Sequence, residues 1–363
     1  MTFRERKINW NYNYRRQFRM GMSHPLYLVQ VVAASSISPQ LAPRKIAPFD
    51  AHILLTENCQ AKCITCDYWK TQKVDKMSTE FTIRTIDRLG ELGFKHLRLA
   101  GGEILLRSDL FEILDRSNTN PFQQIRIQTN GLLLNKRARA INESPLTHVS
   151  ISLDATGDTN DYLRGIEGYY ELALAGALKL KGKEIEISCT LTGPGAEHLE
   201  ALIDLSHSNN WAFSYNMLNN MISKFEQADL SCWPKEDSLE KILEILRRRV
   251  ALPEVELNYI RKHYTEGPSR SYRINEPPCV LGYLQLYILA NGDVLSGCYG
   301  LPPIGNIFNH DLEEILHSDL YKQRAQAMLR RECNGCVCNV NISLKANRPL
   351  ATLAHAIGVR KPG

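Results

Sequence analysis

NCQAKCITCDYW, residues 58 to 69, places three of the chain's ten cysteines within eight positions. The stretch directly follows a strand-like run at residues 52–56. In parallel βα architectures the reactive groups gather in the loops that follow the carboxyl ends of the strands. Cysteines at this position are therefore expected to have a chemical role rather than a packing role.

The rest of the chain continues the alternation that this first strand begins. Amphipathic, helix-like segments separate the strand-like runs, and the further runs are residues 96–100, 124–129, 148–153, 186–191 and 212–218. Repeated βα units predict a parallel sheet. Six such units predict an α/β fold, namely a partial (β/α)6 TIM-like barrel.

Composition limits the class of protein. The chain has 363 residues, of which 44% are hydrophobic and 23% charged. These fractions are typical of a folded globular protein and argue against a disordered or fibrous one. The apolar stretch at residues 25–34 is too short to span a bilayer, and no cleavage site of a signal peptide follows it. We expect a cytoplasmic protein, in which clustered cysteines are metal ligands or catalysts rather than disulfides.

The net charge of +5 is modest, and much of the excess lies near the start of the chain. The basic residues there are Arg4, Arg6, Lys7, Arg15, Arg16 and Arg19, against Glu5 alone. Such an arm is either a solvated basic tail or a segment that meets phosphate groups on a substrate or a membrane surface.

Two kinds of metal centre suit Cys59, Cys63 and Cys66. A structural zinc needs a fourth cysteine or histidine, which would have to come from a distant part of the chain. An iron–sulfur cubane has four irons, so three thiolates leave one iron open. An open iron can chelate the amino and carboxylate groups of S-adenosylmethionine.

The spacing Cys59-x3-Cys63-x2-Cys66 after a first strand resembles the signature of the radical S-adenosylmethionine superfamily. Thr65 stands where the family usually has an aromatic residue. The resemblance implies that the three cysteines hold a [4Fe–4S] cluster, that the cluster binds S-adenosylmethionine, and that a flavodoxin or ferredoxin supplies electrons.

The second strand-like run ends in Gly101, Gly102 and Glu103, which resemble the family's Gly-Gly-Glu motif. Ile104 replaces the usual proline. The resemblance implies that the backbone and the acid engage the amino group of the methionine moiety. Paired glycines also permit a close approach of the backbone to a ligand.

Residues 128–131 and 149–154 are similar to family motifs at the ends of the third and fourth strands. The resemblance implies that Asn130, Ser152 and Asp154 bind the cofactor, with small polar side chains directed to its ribose and carboxylate. Residues 160–165 resemble a motif that ends in Arg-Gly, so Arg164 pairs with the methionine carboxylate or stabilises the reduced cluster. The alternative is that Arg164 caps a helix or forms a surface ion pair.

The remaining cysteines follow a second pattern. Cys279 and Cys298 flank a hairpin with its turn at Asn291-Gly292, and Cys333, Cys336 and Cys338 follow a helix-like segment. This arrangement resembles the twitch domain of the superfamily, a shortened relative of its SPASM domain. It implies one auxiliary [4Fe–4S] cluster held by Cys279, Cys298, Cys333 and Cys336, with Cys338 as the alternative for the last. Four thiolates would also suit a structural zinc.

These patterns divide the chain into five parts. We expect a basic N-terminal extension at 1–48, the partial barrel at 49–222, a connecting helical segment at 223–278, the β-hairpin and helix of the twitch domain at 279–345, and a C-terminal tail at 346–363.

The resemblance also implies the activity. Cleavage of S-adenosylmethionine yields a 5′-deoxyadenosyl radical, which removes a hydrogen atom from the substrate. We expect a hydroxylated small molecule, such as a sugar, an aminocyclitol or an anionic or sugar-linked conjugate, that undergoes epimerisation or two-electron dehydrogenation. Cys232, in the connection after the sixth strand, is the candidate hydrogen-atom donor; the alternative is an inert thiol.

Other functions remain open at this point. Modification of a ribosomally made peptide is one, although the stretch before Ala51 is short for a leader-binding domain. A non-catalytic iron–sulfur electron carrier is another, and it predicts no turnover of S-adenosylmethionine. Nucleic acid is not expected as a partner, because no RNA-binding module is apparent and the basic excess is confined to one arm.

Overall fold

The computed structural model describes residues 25–36, 38–70, 75–218, 230–267, 279–299 and 301–332. Its centre is one nine-stranded sheet with the order β6-β5-β4-β3-β2-β1-β7-β8-β9. The strands are β1 Asp50–Thr56, β2 His96–Gly101, β3 Gln124–Thr129, β4 His148–Ser152, β5 Glu184–Leu191, β6 Ala212–Met217, β7 Gln285–Ile288, β8 Asp293–Leu295 and β9 Gly305–Asn306. Strands β1 to β7 pair in parallel, whereas β8 and β9 are antiparallel to their neighbours.

Helices connect the strands of the barrel, and further helices follow the sixth and the ninth strand. They are α1 Pro25–Ser36, α2 Thr79–Glu91, α3 Leu110–Arg116, α4 Leu134–Glu143, α5 Gly157–Arg164, α6 Tyr169–Ala177, α7 Leu199–Ser208, α8 Glu236–Ile245, α9 Glu254–Glu266, α10 Leu281–Leu284, α11 Leu312–His317 and α12 Asp319–Leu329. The six βα units confirm the predicted partial barrel. The main differences are that β1 and β5 each begin two residues earlier than their apolar runs.

The two faces of the sheet differ in polarity because side chains alternate along each strand. One face carries apolar residues such as Ile53, Leu97 and Ile127, which are fully buried in the hydrophobic core. The opposite, inner face carries polar residues; His52 pairs in register with Arg98, and Arg98 pairs with Arg126. The barrel therefore has an apolar shell and a polar lining.

Ion pairs fill the part of the inner face near the start of the strands. Asp50 is fully buried and accepts hydrogen bonds from the Arg98 guanidinium, at 3.1 and 2.7 Å. Burial disfavours the carboxylate, but the charges of Arg98 and His52 outweigh it and hold the pKa of Asp50 well below its usual range. Arg126 forms a second buried pair with Glu186 across the inner face. Charge pairs thus close this end of the barrel.

The predicted hairpin is confirmed and has an additional role. Strands β7 and β8 pair across a turn in which Gly292 has φ +86. Strand β7 also pairs with β1, so that Gln285 lies beside Asp50 and Tyr287 lies beside His52. The sheet therefore continues from the barrel into the region assigned to the twitch domain. The five predicted domain ranges stay predictions.

Helix α1 lies within the predicted N-terminal extension. The Tyr27 hydroxyl donates to the backbone carbonyl of Tyr283 at 2.7 Å and accepts from the backbone N–H of Ala47 at 3.1 Å. The helix is therefore attached to the region around α10. The six basic residues between positions 4 and 19 lie outside the described residues. In the part of the chain that the structure describes, no helix has the length and apolar character needed to cross a membrane.

Candidate active site

The cysteine loop after β1 is held from two sides by backbone hydrogen bonds. On one side, the N–H of Glu103 donates to the carbonyl of Asn58 at 2.8 Å. On the other, the N–H of Lys62 donates to the carbonyl of Arg164 at 3.1 Å, where α5 ends. The Gly-Gly-Glu turn and the end of α5 therefore fix the shape of the loop that carries Cys59, Cys63 and Cys66.

Glycines make this close packing possible. A Cβ added at Gly101 would lie 2.2 Å from the carbonyl oxygen of Thr56, and one at Gly102 would lie 2.4 Å from that of Asn58. At Gly165 the Cβ would lie 2.3 Å from the carbonyl oxygen of Lys62, and its φ is +68. The paired glycines thus admit the backbone of the cysteine loop. Their close approach to a ligand stays a prediction.

The three thiols of the loop are partly or fully buried, and none forms a disulfide. The indole N–H of Trp69 donates to the carbonyl of Cys63 at 3.1 Å and orders the middle of the loop. Burial raises the pKa of the Cys59 thiol to about 12 and also raises that of Cys63. Burial thus favours the protonated thiol at Cys59 and Cys63, and metal binding has to displace those protons.

Two side chains donate hydrogen bonds to the cysteine sulfurs. The Asn130 amide Nδ2 lies 3.7 Å from Sγ of Cys59. The Arg164 guanidinium Nη1 lies 3.9 Å from Sγ of Cys63. The structure thus brings both of these predicted cofactor-binding residues to the cysteine loop.

Glu103 is fully buried at the junction of β2 and β3. Its carboxylate accepts hydrogen bonds from the Thr129 hydroxyl at 2.7 Å and from the backbone N–H groups of Leu105 at 2.9 Å and Asn130 at 2.6 Å. Burial raises its pKa, and the three donors oppose that rise. Glu103 therefore joins the ends of two strands, and its contact with the cofactor stays a prediction.

Asp154 and Arg164 form a buried ion pair beside Cys63. Nη2 of Arg164 lies 2.7 Å from Oδ1 of Asp154, which also accepts from the N–H of Thr190 at 2.7 Å. Burial opposes the charge on Arg164, but Asp154 outweighs this effect and raises the pKa of the guanidinium. This buried pair differs from the surface ion pair that was the alternative for Arg164.

Several buried polar atoms of this pair, of Asn160 and of Gln60, which follows Cys59 directly, have no hydrogen-bond partner among the described residues. They are Nε of Arg164, Oδ2 of Asp154, Nδ2 of Asn160 and both amide atoms of Gln60. Buried polar atoms are almost always satisfied in native proteins. Donors and acceptors of this kind, beside three thiols, fit a polar ligand such as S-adenosylmethionine next to a cluster.

A single metal ion and an iron–sulfur cluster place different demands on the three thiols. Among the described residues, no three His, Cys, Asp or Glu side chains converge closely enough to hold one metal ion. Thiolates of a cubane bind different irons and have no need to converge on one point. The donor set at Cys59, Cys63 and Cys66 is therefore compatible with a [4Fe–4S] centre.

The remaining barrel candidates lie in different environments. Ser152 is on the inner face of β4, two residues before Asp154 and 9% exposed. Cys232 is 1% exposed and packs in the hydrophobic core, and its carbonyl accepts from the N–H of Gly193 at 2.8 Å. Cys232 is thus close to the loop that follows β5, and its role as a hydrogen-atom donor stays a prediction.

The auxiliary site is described in part. Cys279 and Cys298 are half-buried and lie before β7 and after β8, while Cys333, Cys336 and Cys338 lie outside the described residues.

Aromatic rings connect the auxiliary site to the barrel. The ring of Tyr299, directly after Cys298, lies 4.9 Å from that of Tyr287, which lies 4.3 Å from the ring of His52. Burial raises the pKa of Tyr299, and Tyr68 contributes in the same direction. The Cys298 turn therefore adjoins the inner face of the barrel.

Sequence reasoning missed two residues of the site. Gln60 follows Cys59 directly, and its position inside the cysteine motif is a signal that could have marked it. Asn160 begins the motif at residues 160–165, and its Oδ1 accepts from the N–H of Asp154 at 2.9 Å. Both residues have buried amide atoms without a partner among the described residues, which only the structure can reveal.

Comparison with protein families identifies two regions. Residues 53–206 match the model of the radical SAM superfamily. Residues 279–337 match the SPASM model, which is described as an iron–sulfur cluster-binding domain. The first range includes the cysteine loop and the second includes both described cysteines of the auxiliary site.

Curated relatives share the barrel region. The chain is 28% identical over 203 residues to the Fe-coproporphyrin III synthase of Methanosarcina barkeri, covering 53% of this chain and 50% of the relative. It is 31% identical over 153 residues to the GTP 3′,8-cyclase of Limosilactobacillus fermentum, covering 37% and 44%. The matches thus span half or less of the length of these relatives.

A solved structure has the same fold. SuiB of Streptococcus suis, bound to S-adenosylmethionine, superposes with a TM-score of 0.56 and 20% sequence identity, covering 76% of this chain and 67% of that chain. At this identity the likeness shows a shared fold, in agreement with the partial barrel.

Proposed function

Because the chain belongs to the radical S-adenosylmethionine superfamily and carries a SPASM iron–sulfur cluster-binding domain, we propose that it removes a hydrogen atom from a hydroxylated small molecule. The family implies a [4Fe–4S] cluster, S-adenosylmethionine and an auxiliary cluster. When bound, the first cluster supplies the electron that cleaves S-adenosylmethionine into methionine and a 5′-deoxyadenosyl radical. The substrate is a sugar, an aminocyclitol or a sugar conjugate.

The residues of this chain bind and orient these groups. Cys59, Cys63 and Cys66 hold the first cluster, and Asn130 and Arg164 donate hydrogen bonds to the sulfurs of Cys59 and Cys63. The orphan atoms of Gln60, Asp154, Asn160 and Arg164 receive the polar groups of S-adenosylmethionine. Gly101, Gly102 and Glu103 shape the turn beside it, and Ser152 faces its ribose. Cys279, Cys298, Cys333 and Cys336, or Cys338 in place of the last, hold the auxiliary cluster.

The proposed substrate class is based on the polar side chains of the inner face of the barrel. Toward the carboxyl ends of the strands this face presents neutral hydrogen-bonding groups, namely those of Gln128, Ser152, Ser188 and Asn216. Gln128 and Asn216 are exposed, and the Asn216 amide donates to the Ser188 hydroxyl at 2.9 Å. Amide and hydroxyl groups of this kind suit a substrate rich in hydroxyl groups.

The ion pairs on the inner face favour a substrate whose reacting sugar or cyclitol ring is uncharged. The inner-face arginines of the described strands, Arg98 and Arg126, are each bonded to a carboxylate, that of Asp50 or Glu186. An anionic substrate would have to break these pairs or find a cation elsewhere. The basic N-terminal arm could supply that cation to a phosphate or nucleotide that is linked to the ring.

Two outcomes are possible after hydrogen abstraction. In an epimerisation, the Cys232 thiol gives a hydrogen atom to the opposite face of the substrate radical and becomes a thiyl radical. One electron from the external reductant and one proton from solvent restore the thiol. In a dehydrogenation, the substrate radical loses a proton to water and a second electron, which an auxiliary cluster held by Cys279, Cys298, Cys333 and Cys336 would be able to take up. A flavodoxin or ferredoxin is the proposed reductant.

The test uses anaerobically reconstituted protein with dithionite and S-adenosylmethionine in deuterated water. Sugar nucleotides and aminocyclitols are the substrates, and products are followed by mass spectrometry. Cys232→Ala is compared with Cys189→Ala, since Cys189 is also buried and also forms no disulfide. One solvent deuterium in the product at unchanged oxidation state, lost only in Cys232→Ala, would support the epimerase. A product lighter by two hydrogens in all three proteins would support the dehydrogenase with an inert Cys232.

The same assay separates the alternatives. A coproporphyrin and GTP are included because two of the compared proteins are named for these compounds. A precursor peptide is included because SuiB is also seen in a structure with its precursor peptide SuiA. Turnover of one of these, with none of the sugars or aminocyclitols, would contradict the proposed substrate class. If no 5′-deoxyadenosine forms while both clusters are loaded, the result would contradict the proposed enzyme and favour the electron carrier.

A further inference from the structure

Asn130 is fixed at three points beside the first cysteine. Its backbone N–H donates to Oε2 of Glu103 at 2.6 Å, and its side-chain Oδ1 accepts from the backbone N–H of Leu132 at 3.0 Å. Its Nδ2 lies 3.7 Å from Sγ of Cys59. The residue is 6% exposed, so little solvent competes for these bonds.

These contacts determine which way the amide faces. The oxygen and nitrogen of an asparagine side chain are assigned from their partners. The backbone N–H of Leu132 can only donate, so it requires the oxygen of Asn130 as its acceptor. The NH₂ group must therefore face the sulfur of Cys59.

We propose that Asn130 raises the reduction potential of the first cluster through this N–H···S bond to the Cys59 thiolate. Hydrogen bonds to the sulfurs are among the factors that set iron–sulfur potentials. The bond is stronger to the reduced cluster, because that form carries one more negative charge. Donation by Asn130 therefore stabilises the reduced form more than the oxidised form.

The electron balance is simple. The flavodoxin or ferredoxin donor loses one electron and the cluster gains it, and no proton is transferred to Asn130. The amide is thus a positioning residue that acts through Cys59 and touches no substrate. This inference is independent of the proposed substrate, since it concerns the loading of the electron alone.

Two substitutions distinguish the hydrogen bond that Asn130 donates to the Cys59 sulfur from the turn that it forms with the N–H of Leu132. Asn130→Ser and Asn130→Asp each retain a side-chain oxygen for the N–H of Leu132 but lose the donor to Cys59. The midpoint potential of the cluster is measured by redox titration followed by electron paramagnetic resonance in the holoprotein. The first cluster is identified by the change in its spectrum when S-adenosylmethionine is added.

We expect Asn130→Ser to lower the equilibrium constant of reduction about tenfold, which corresponds to roughly 59 mV for one electron. Asn130→Asp should lower it further, because a carboxylate is placed beside the sulfur. Asn142→Asp is the matched control, since the Asn142 oxygen also accepts a backbone N–H, that of Lys181 at 2.9 Å, on the surface of the molecule. It should leave the potential unchanged.

The outcome that overturns the inference is an unchanged potential in Asn130→Ser and Asn130→Asp with the cluster fully loaded. That result would mean that Asn130 only stabilises the turn at Leu132 and does not affect the potential of the cluster. If Asn130→Asp binds no iron, the result from Asn130→Ser decides, because serine adds no charge beside the thiolate. No substrate is needed, so failure here leaves the proposed function untouched.

Discussion

Asp50 shows how one buried carboxylate organises the closed end of the barrel. It is fully buried and bonded to Arg98, His52 and Gln285, which come from three neighbouring strands. Removal of its charge leaves the guanidinium of Arg98 without its counter-ion, and breaking a buried pair in this way costs about 3–5 kcal/mol. We expect Asp50→Asn to lower the free energy of unfolding by this amount, measured by urea denaturation at pH 7.

The pH dependence of the same pair has a defined sign. The folded-state pKa of Asp50 lies below its unfolded value of 3.8. Its contribution is therefore complete well above pH 3.8 and is lost as the pH falls below that value toward the folded-state pKa. Asp50→Asn should show a smaller loss of stability between about pH 5 and pH 3 than the unchanged protein. Asp115→Asn, at an exposed carboxylate, is the control, and equal acid sensitivity of both variants and the unchanged protein would contradict the assignment.

Residues whose chemistry depends on linear spacing could be predicted from the sequence. Cys59, Cys63, Cys66 and the Gly-Gly-Glu turn belong to this group. The role of Gln60 could not be predicted, because a buried amide is informative only when its surroundings supply no partner. For Arg164 the sequence left a surface ion pair open as the alternative, and only the structure shows that this arginine is buried beside Asp154.

At the scale of elements, the junction between α5 and the cysteine loop depends on one glycine. Gly165 ends α5 with φ +68, and an added Cβ would lie 2.3 Å from the carbonyl oxygen of Lys62. Gly165→Ala therefore combines left-handed strain, about 1–2 kcal/mol, with a clash against the loop that carries Cys63. We expect a lower unfolding midpoint and a loss of iron from the first cluster, measured by iron analysis after anaerobic reconstitution.

Gly182→Ala is the control variant that introduces the left-handed backbone strain without a clash. Gly182 has φ +67, almost the same as Gly165, but an added Cβ would meet nothing within 4 Å. This variant should lose only the stability associated with strain and retain its iron. Equal iron loss in the two variants would show that the contact with Lys62 does not hold the cysteine loop in place.

Strand prediction succeeded where the signal was local. The six barrel strands are apolar runs between helical segments, so their existence follows from neighbouring residues. The pairing of β7 with β1 was not predicted, since Asp50 and Gln285 are 235 residues apart in sequence. Register at that separation depends on the assembled sheet and on the polar match between Gln285 and Asp50.

At the scale of the whole molecule, the continuous sheet links the two metal-binding regions. Strand β7 covers the edge of β1, which would otherwise expose unpaired backbone groups. The Cys279 and Cys298 segments flank the β7–β8 hairpin, and the cysteine loop of the first cluster follows β1 directly. Order in the auxiliary region is therefore expected to support the strand from which the first cysteine loop extends.

This arrangement predicts how removal of each metal centre affects the other. The loaded protein should hold about eight irons, four for each cluster. A Cys279→Ala/Cys298→Ala variant should retain about four and also show a lower thermal unfolding midpoint, because the hairpin on the edge of β1 loses its anchor. A Cys59→Ala/Cys63→Ala/Cys66→Ala variant should also retain about four. If the auxiliary variant loses zinc and keeps all its iron, the auxiliary site is a structural zinc centre; if its midpoint is unchanged, the two regions are not coupled through β7.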